Sequence, residues 1–98
     1  MKRPALDSLV SRLYILKFVR SHPSTVLSLA DRLRERGIDK DIRALRPILR
    51  SLMMARAITA QLEEGTGRVY SITDRGREEL DVYLAHLDVL HNDIGDAP

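Results

Sequence analysis

The chain predicts a mainly α fold with one small β-hairpin, a winged helix-turn-helix followed by a C-terminal dimerisation helix. Three observations predict it. Two segments of helical apolar period are separated only by a short turn at Gly37, which is the helix-turn-helix arrangement. Two runs rich in apolar and β-branched residues flank Glu63-Glu64-Gly65-Thr66-Gly67, a turn with two glycines, as in a hairpin. A further apolar stripe of helical spacing follows that hairpin.

The first helix covers about residues 6–20. Leu6, Leu9, Val10, Leu13, Leu16 and Val19 recur at spacings of three and four, and Ile15 and Phe18 widen the stripe. So much apolar surface suits burial on two sides, against the chain's own core and against a second subunit. The central helix of a small bundle would carry the same pattern. Ser21-His22-Pro23-Ser24 ends this helix. Ser24 or Thr25 can cap the next one by accepting a backbone N–H. That second helix, about Thr25–Arg36, buries Val26, Leu29, Ala30 and Leu33, and stops at Gly37, the residue best suited to the left-handed position past a helix end.

A third helix is predicted over Asp39–Ala57, with Asp39 as its cap and Asp41 in its first turn. Ile42, Leu45, Leu49 and Leu52 line one side; Arg43, Arg46 and Arg50 line another. Pro47 interrupts the backbone bonding and crowds the carbonyl of Arg43. It either shapes the helix or sits harmlessly on an exposed face; the sequence leaves both open. The helix-turn-helix thus spans about residues 25–54.

Ile58–Leu62 and Arg68–Thr73 are the two strands of a wing at about residues 58–73. In the second strand Val69, Ser71 and Thr73 alternate with Tyr70 and Ile72, the pattern of a half-buried strand. Residues 1–73 form the DNA-binding domain in this division, and 74–94 the dimerisation helix. Thr73 or Asp74 caps that helix, whose main run is Arg75 to about His91. Its stripe is Leu80, Tyr83, Leu84, Leu87, Leu90 and Ile94. A helix emerging after a wing has little of its own domain left to cover, which favours pairing across a two-fold axis. Residues 95–98 are expected to fray.

Composition bounds the function. The 98 residues suffice for one small domain. There is no cysteine, hence no disulfide framework or thiolate metal site, which is compatible with a reducing cytoplasm. The apolar runs fall far short of the roughly 20 residues that span a bilayer, and the basic start MKRPALDSLVSRLY is too broken for a signal peptide. A cytoplasmic protein without membrane contact is expected. The net charge of +2 hides an asymmetry: residues 78–98 contain acids but no Lys or Arg, so all 16 basic residues lie before them. A basic body with an acidic C-terminal segment points to an anionic partner.

Double-stranded DNA is the anion that fits. Lys40, Arg43 and Arg46 lie toward the start of the third helix, the part that enters a major groove in such folds. Arginine pairs bidentately with guanine, so Arg43 and Arg46 are the candidate base readers. Arg50, further along, suits a phosphate. Ser24 and Thr25 at the second helix's start offer backbone N–H groups to a phosphate, and Arg68 on the wing suits a minor groove or phosphate. The solvated side of an amphipathic helix would show the same arginine row; the wing behind it tips the reading toward DNA. His22, His86 and His91 have no shared face that makes a metal site. No catalytic spacing and no phosphate-cradling glycine loop is present. No enzyme and no cofactor are expected.

Leu45-Arg46-Pro47-Ile48-Leu49-Arg50-Ser51-Leu52 resembles the LYPALRRL stretch of PadR-type transcriptional regulators, with Pro47 at the family's proline and Arg46 where the family has tyrosine. Gly67–Leu80 is similar to their GRxRYYxLTxxGRxEL segment, with Tyr70, Thr73, Gly76 and Leu80 in step. The likeness covers about Thr25–Leu80, and the length, with one helix after the wing, looks like the short branch of the family. It implies a homodimeric DNA-binding repressor in which the first and last helices build the dimer. Here those contributions come from Leu6, Leu9, Leu13, Leu80, Tyr83, Leu84, Leu87 and Leu90. The wing is less basic than the family's, with only Arg68, and the absence of tryptophan means that the aromatic drug sandwich of some members is not implied.

The expectation is therefore a homodimer inserting Lys40–Arg46 into successive major grooves of a promoter. A small-molecule effector near Tyr83 and the first helix is compatible with it by analogy. The rival reading is a winged-helix module for protein–protein interaction that does not read DNA.

Overall fold

The computed structural model describes residues 4–95. The side chains of Leu6 and Leu90 and the tail residues 96–98 lie outside the described residues. The order is α1 (Pro4–Ser21), α2 (Val26–Glu35), α3 (Ile42–Met54), β1 (Ile58–Glu63), β2 (Gly67–Ile72) and α4 (Asp74–Gly95).

The core forms where the apolar stripes converge on α1. Ile15, Leu16, Phe18 and Val19 meet Leu29, Ala30 and Leu33 of α2 and Leu45, Leu49 and Leu52 of α3. Leucines so buried stabilise the fold by roughly 1.5–3 kcal/mol each before entropy is set against them. Ala57, Ile58, Tyr70 and Leu80 close the core from the hairpin and α4. The stripe of α1 divides along its length: its C-terminal half is buried, whereas Leu9, Leu13 and Tyr14 are half-buried and Val10 is 36% exposed.

The turn between α2 and α3 is built as its glycine suggests. Gly37 has φ +80, and the Gly37 and Ile38 N–H groups donate to the Arg34 and Leu33 carbonyls at 3.0 and 2.9 Å. This pair of bonds closes a helix end while folding an apolar residue back onto it; Ile38 packs against the core. The end of α3 repeats the motif. Arg56 and Ala57 N–H groups donate to Met53 and Leu52 at 2.9 Å, with Arg56, not glycine, at φ 61. A left-handed residue with a side chain costs about 1–2 kcal/mol.

The wing is an antiparallel pair in which Ile58 faces Ile72, Ala60 faces Tyr70 and Leu62 faces Arg68. Ser24 joins it through an isolated bridge to Tyr70. The Ser24 N–H donates to the Tyr70 carbonyl at 2.9 Å, and the Tyr70 N–H to the Ser24 carbonyl at 2.8 Å. The start of α2 is thereby laced to the base of the wing. Thr73 caps α4, its hydroxyl accepting the Gly76 N–H at 3.0 Å while donating to the Arg56 carbonyl at 2.6 Å.

Two boundaries differ from the sequence expectation. The cap of α3 is Asp41, whose carboxylate accepts the Ala44 N–H at 2.8 Å. Asp39 therefore does not cap α3, and Lys40 precedes that helix instead of riding on it. The physical reason is the turn geometry: Ile38 is still committed to closing α2, so residues 39–41 lie outside any helix before α3 starts. At the other end α4 continues past His91 to Gly95.

Candidate nucleic-acid interface

Helix α3 presents two opposed faces. Leu45, Leu49 and Leu52 are essentially inaccessible. Arg43, Arg46 and Arg50 are exposed and, at 100° per residue, fall within about 60° of one another on the helix. Pro47 lies beside this row and is also exposed. The proline cannot donate a bond to the Arg43 carbonyl, and the helix continues through it.

The arginines of the described residues divide into those paired with a carboxylate and those that are not. Arg12, Arg20, Arg34, Arg36 and Arg77 each meet a carboxylate: Glu79, Asp81, Asp31, Glu35 and Asp74. The side chains of Arg43, Arg46 and Arg50 meet no such partner among the described residues. Three uncompensated guanidinium groups on one helical face make a local positive field that an oxyanion would neutralise. Lys40 is half-buried at the entrance to α3, on the chain segment rather than on the helical face.

The other expected contacts are distributed less simply. Ser24 is 4% exposed; its N–H belongs to the Tyr70 bridge and its hydroxyl donates to the His22 carbonyl at 3.1 Å. Both groups are consumed by the fold, so neither is offered to a phosphate. Thr25 is the cap of α2, accepting the Ser28 N–H at 3.2 Å. Arg68 is exposed on β2 and has no carboxylate partner among the described residues. It stands near Glu63 and Glu64, so the tip of the wing is more acidic than basic. Sequence reasoning passed over Arg56 and Arg75, which are likewise exposed and unpaired with any described carboxylate.

The expected dimer residues divide in the same way. Leu80 is 1% exposed and belongs to the chain's own core. It supports α4 from within, which corrects its assignment to an interface. Beyond it α4 leaves the domain. Tyr83 is half-buried, while Leu84 and Leu87 are 44% and 47% exposed. Leu84 and Leu87, but not Tyr83, line an open groove of about 480 Å³ with Val10, Leu13 and Tyr14 of α1. Leu9 lies apart, in a shallow cleft with Pro47, Ile48 and Ser51.

Among the described residues no helix is long and apolar enough to cross a membrane. No group of three or more His, Cys, Asp or Glu among them could hold a metal ion.

No sequence family model matches the chain, and no curated protein does. Solved structures do match in three dimensions. A PadR-family transcriptional regulator from Eggerthella lenta superposes with a TM-score of 0.81 at 23% identity, over 93% of this chain and 83% of that one. A PadR-like transcription factor from Bacteroides fragilis gives a TM-score of 0.82 at 17% identity, over 94% of this chain and 92% of that one. The fold is a PadR-like winged helix. A PadR-family regulator from Clostridium difficile matches the same fold at a TM-score of 0.76, with 14% identity, over 87% of this chain and 94% of that one.

Four residues of the second sequence motif have structural tasks in the PadR-like fold. Tyr70 is buried and bridges to Ser24, Thr73 caps α4, Gly76 makes a close helix–loop approach, and Leu80 fills the core. These four residues serve the architecture. The arginine face of α3 is a separate feature of this chain.

Proposed function

We propose that the chain is a sequence-specific, double-stranded DNA-binding transcriptional regulator that acts as a homodimer and represses by occupying a promoter. The carrying observation is the unpaired row Arg43, Arg46 and Arg50 on the exposed face of α3. Arg43 and Arg46 read base edges in the major groove, and Arg50 and Arg68 hold phosphates. Thr25 positions the α2 N-terminus beside the backbone, and Lys40 approaches it from the turn. The likeness to proteins named as transcriptional regulators supports this reading.

The dimer is carried by α4. Its exposed Val82, Leu84, Leu87 and Val89 and the groove against α1 are apolar surface of the kind that marks an interface. A two-fold axis through α1 and α4 presents two α3 helices to one face of a duplex. An apolar effector would enter between Tyr14, Leu84 and Leu87, where the groove is open. The role is non-enzymatic and sited in the cytoplasm.

The acidic wing tip with Leu62 82% exposed favours a second reading, in which the hairpin engages another protein and DNA is not read. Salt dependence separates the two. On the first reading, affinity for duplex DNA falls steeply with salt, with a log–log slope of about −0.9 per phosphate neutralised. Absence of binding at low salt supports the second.

A further inference from the structure

Arg12 of α1 ties together the two parts of the molecule that the proposed function needs. Its Nε and Nη2 donate to the two carboxylate oxygens of Glu79 on α4, at 3.2 and 3.1 Å. Its Nη1 donates to the Ser51 hydroxyl on α3 at 3.1 Å. The side chains of Arg12 and Glu79 are only 21% and 25% exposed. Such a fork on a carboxylate fixes the plane of the guanidinium, and partial burial shields the pair from salt. The third arm is thereby aimed at α3.

The place on α3 is informative. Ser51 adjoins Arg50 and lies four residues beyond Pro47. At Pro47 the helix lacks one rung of its backbone ladder, so its position relies more on contacts from outside. Arg12, Pro47 and Ser51 border the same cleft. Helices α1 and α4 carry the uncovered apolar groove, whereas α3 carries the arginine row.

We propose that the Arg12–Glu79–Ser51 bridge is a positioning device that holds α3 at one tilt against the dimer-forming helices. Arg12 is then the residue that determines which spacing of two half-sites the dimer accepts. In a two-fold dimer the component of an α3 shift directed away from or toward the axis is doubled in the separation of the two copies. About 1.7 Å in each copy changes the separation of the two helices by about 3.4 Å, one base-pair step. This inference rests on the dimeric, DNA-binding reading and adds to it the control of spacing.

The test uses the full chain with Ser51→Ala, which deletes only the α3 arm at an exposed residue, and Arg12→Lys, which keeps the charge but cannot form the fork. Each is titrated against duplexes whose half-sites are separated by successive single base pairs. Wild type is expected to prefer one spacing by about tenfold, and both variants to flatten that preference to about threefold or less, because the DNA no longer has to deform to meet a fixed helix pair. Affinity for a single half-site is expected to stay the same. An unchanged spacing profile in both variants overturns the proposal.

A second arm needs no DNA. The chain has no cysteine, so Met54→Cys, at a site 79% exposed at the end of α3, takes a single spin label per copy. The distance distribution between labels in the dimer is expected to broaden on adding Ser51→Ala; an unchanged width overturns the proposal. A wild-type dimer that binds no duplex removes the regulator reading, and this arm still decides whether the bridge positions α3.

Discussion

Gly76 lies against the carbonyl of Ala57 so closely that a Cβ at this position would overlap the carbonyl oxygen and sit 2.8 Å from Cγ1 of Ile72. This approach joins the first turn of α4 to the end of α3 and the base of the wing. Thr73 strengthens the same joint through its bonds to the Arg56 and Ala57 carbonyls.

Replacing Gly76 with alanine should therefore cost stability although it favours the helix locally. Alanine improves helix propensity by about 1 kcal/mol, but backbone cannot move aside cheaply, and overpacking costs typically about 1–3 kcal/mol. Steric overlap with backbone is expected to win. Thermal unfolding of Gly76→Ala should show a lower midpoint; a midpoint at or above wild type would refute the close approach.

Asp41, not Asp39, holds the start of α3. Asp41→Ala is expected to lose about 1 kcal/mol of stability, readable by denaturant unfolding, and to weaken duplex binding by loosening the turn that carries Arg43. Asp39→Ala should leave stability within about 0.5 kcal/mol of wild type. Equal effects from the two variants would contradict the cap assignment.

The arginines of α3 are expected to fall into two classes. Arg43→Ala and Arg46→Ala should each cost about 1–3 kcal/mol on a preferred site and relax its sequence preference. Arg50→Ala should weaken all duplexes alike and reduce the salt slope by about 0.9. Fluorescence anisotropy on a preferred and a scrambled duplex reads both. A double Arg43→Ala/Arg46→Ala variant with unchanged discrimination would remove the recognition role of α3.

Leu80 and Leu84 test the division of α4. Leu84→Glu or Leu87→Glu should yield a folded monomer in sedimentation, since neither side chain belongs to the chain's own core. Leu80→Glu should unfold the chain, because it places an unpaired charge in that core. A dimer that survives both surface substitutions would place the interface elsewhere.

The element order and the arginine face were legible in the sequence because each follows from local spacing. Period alone assigns Arg43, Arg46 and Arg50 to one side of a helix and Leu45, Leu49 and Leu52 to another. Features that depend on distant pairing were not legible. Ser24 was open to reading as a capping or phosphate-binding serine because nothing local announces its bridge to Tyr70. Leu80 and Leu84 share one stripe, and periodicity cannot say where the chain's own core stops covering it. Arg12 and Glu79 are 67 residues apart. With aspartates at both 39 and 41, the choice of cap depended on Ile38, whose N–H the preceding helix end had already claimed.

Selection of bound sequences from a random duplex pool, using the intact chain, tests the central claim most directly. The account predicts enrichment of a two-fold symmetric site whose half-site centres are about one helical turn, 10–10.5 base pairs, or a multiple apart. A pool that remains unenriched at low salt, or that converges on a site without symmetry, would contradict a homodimer reading DNA through α3.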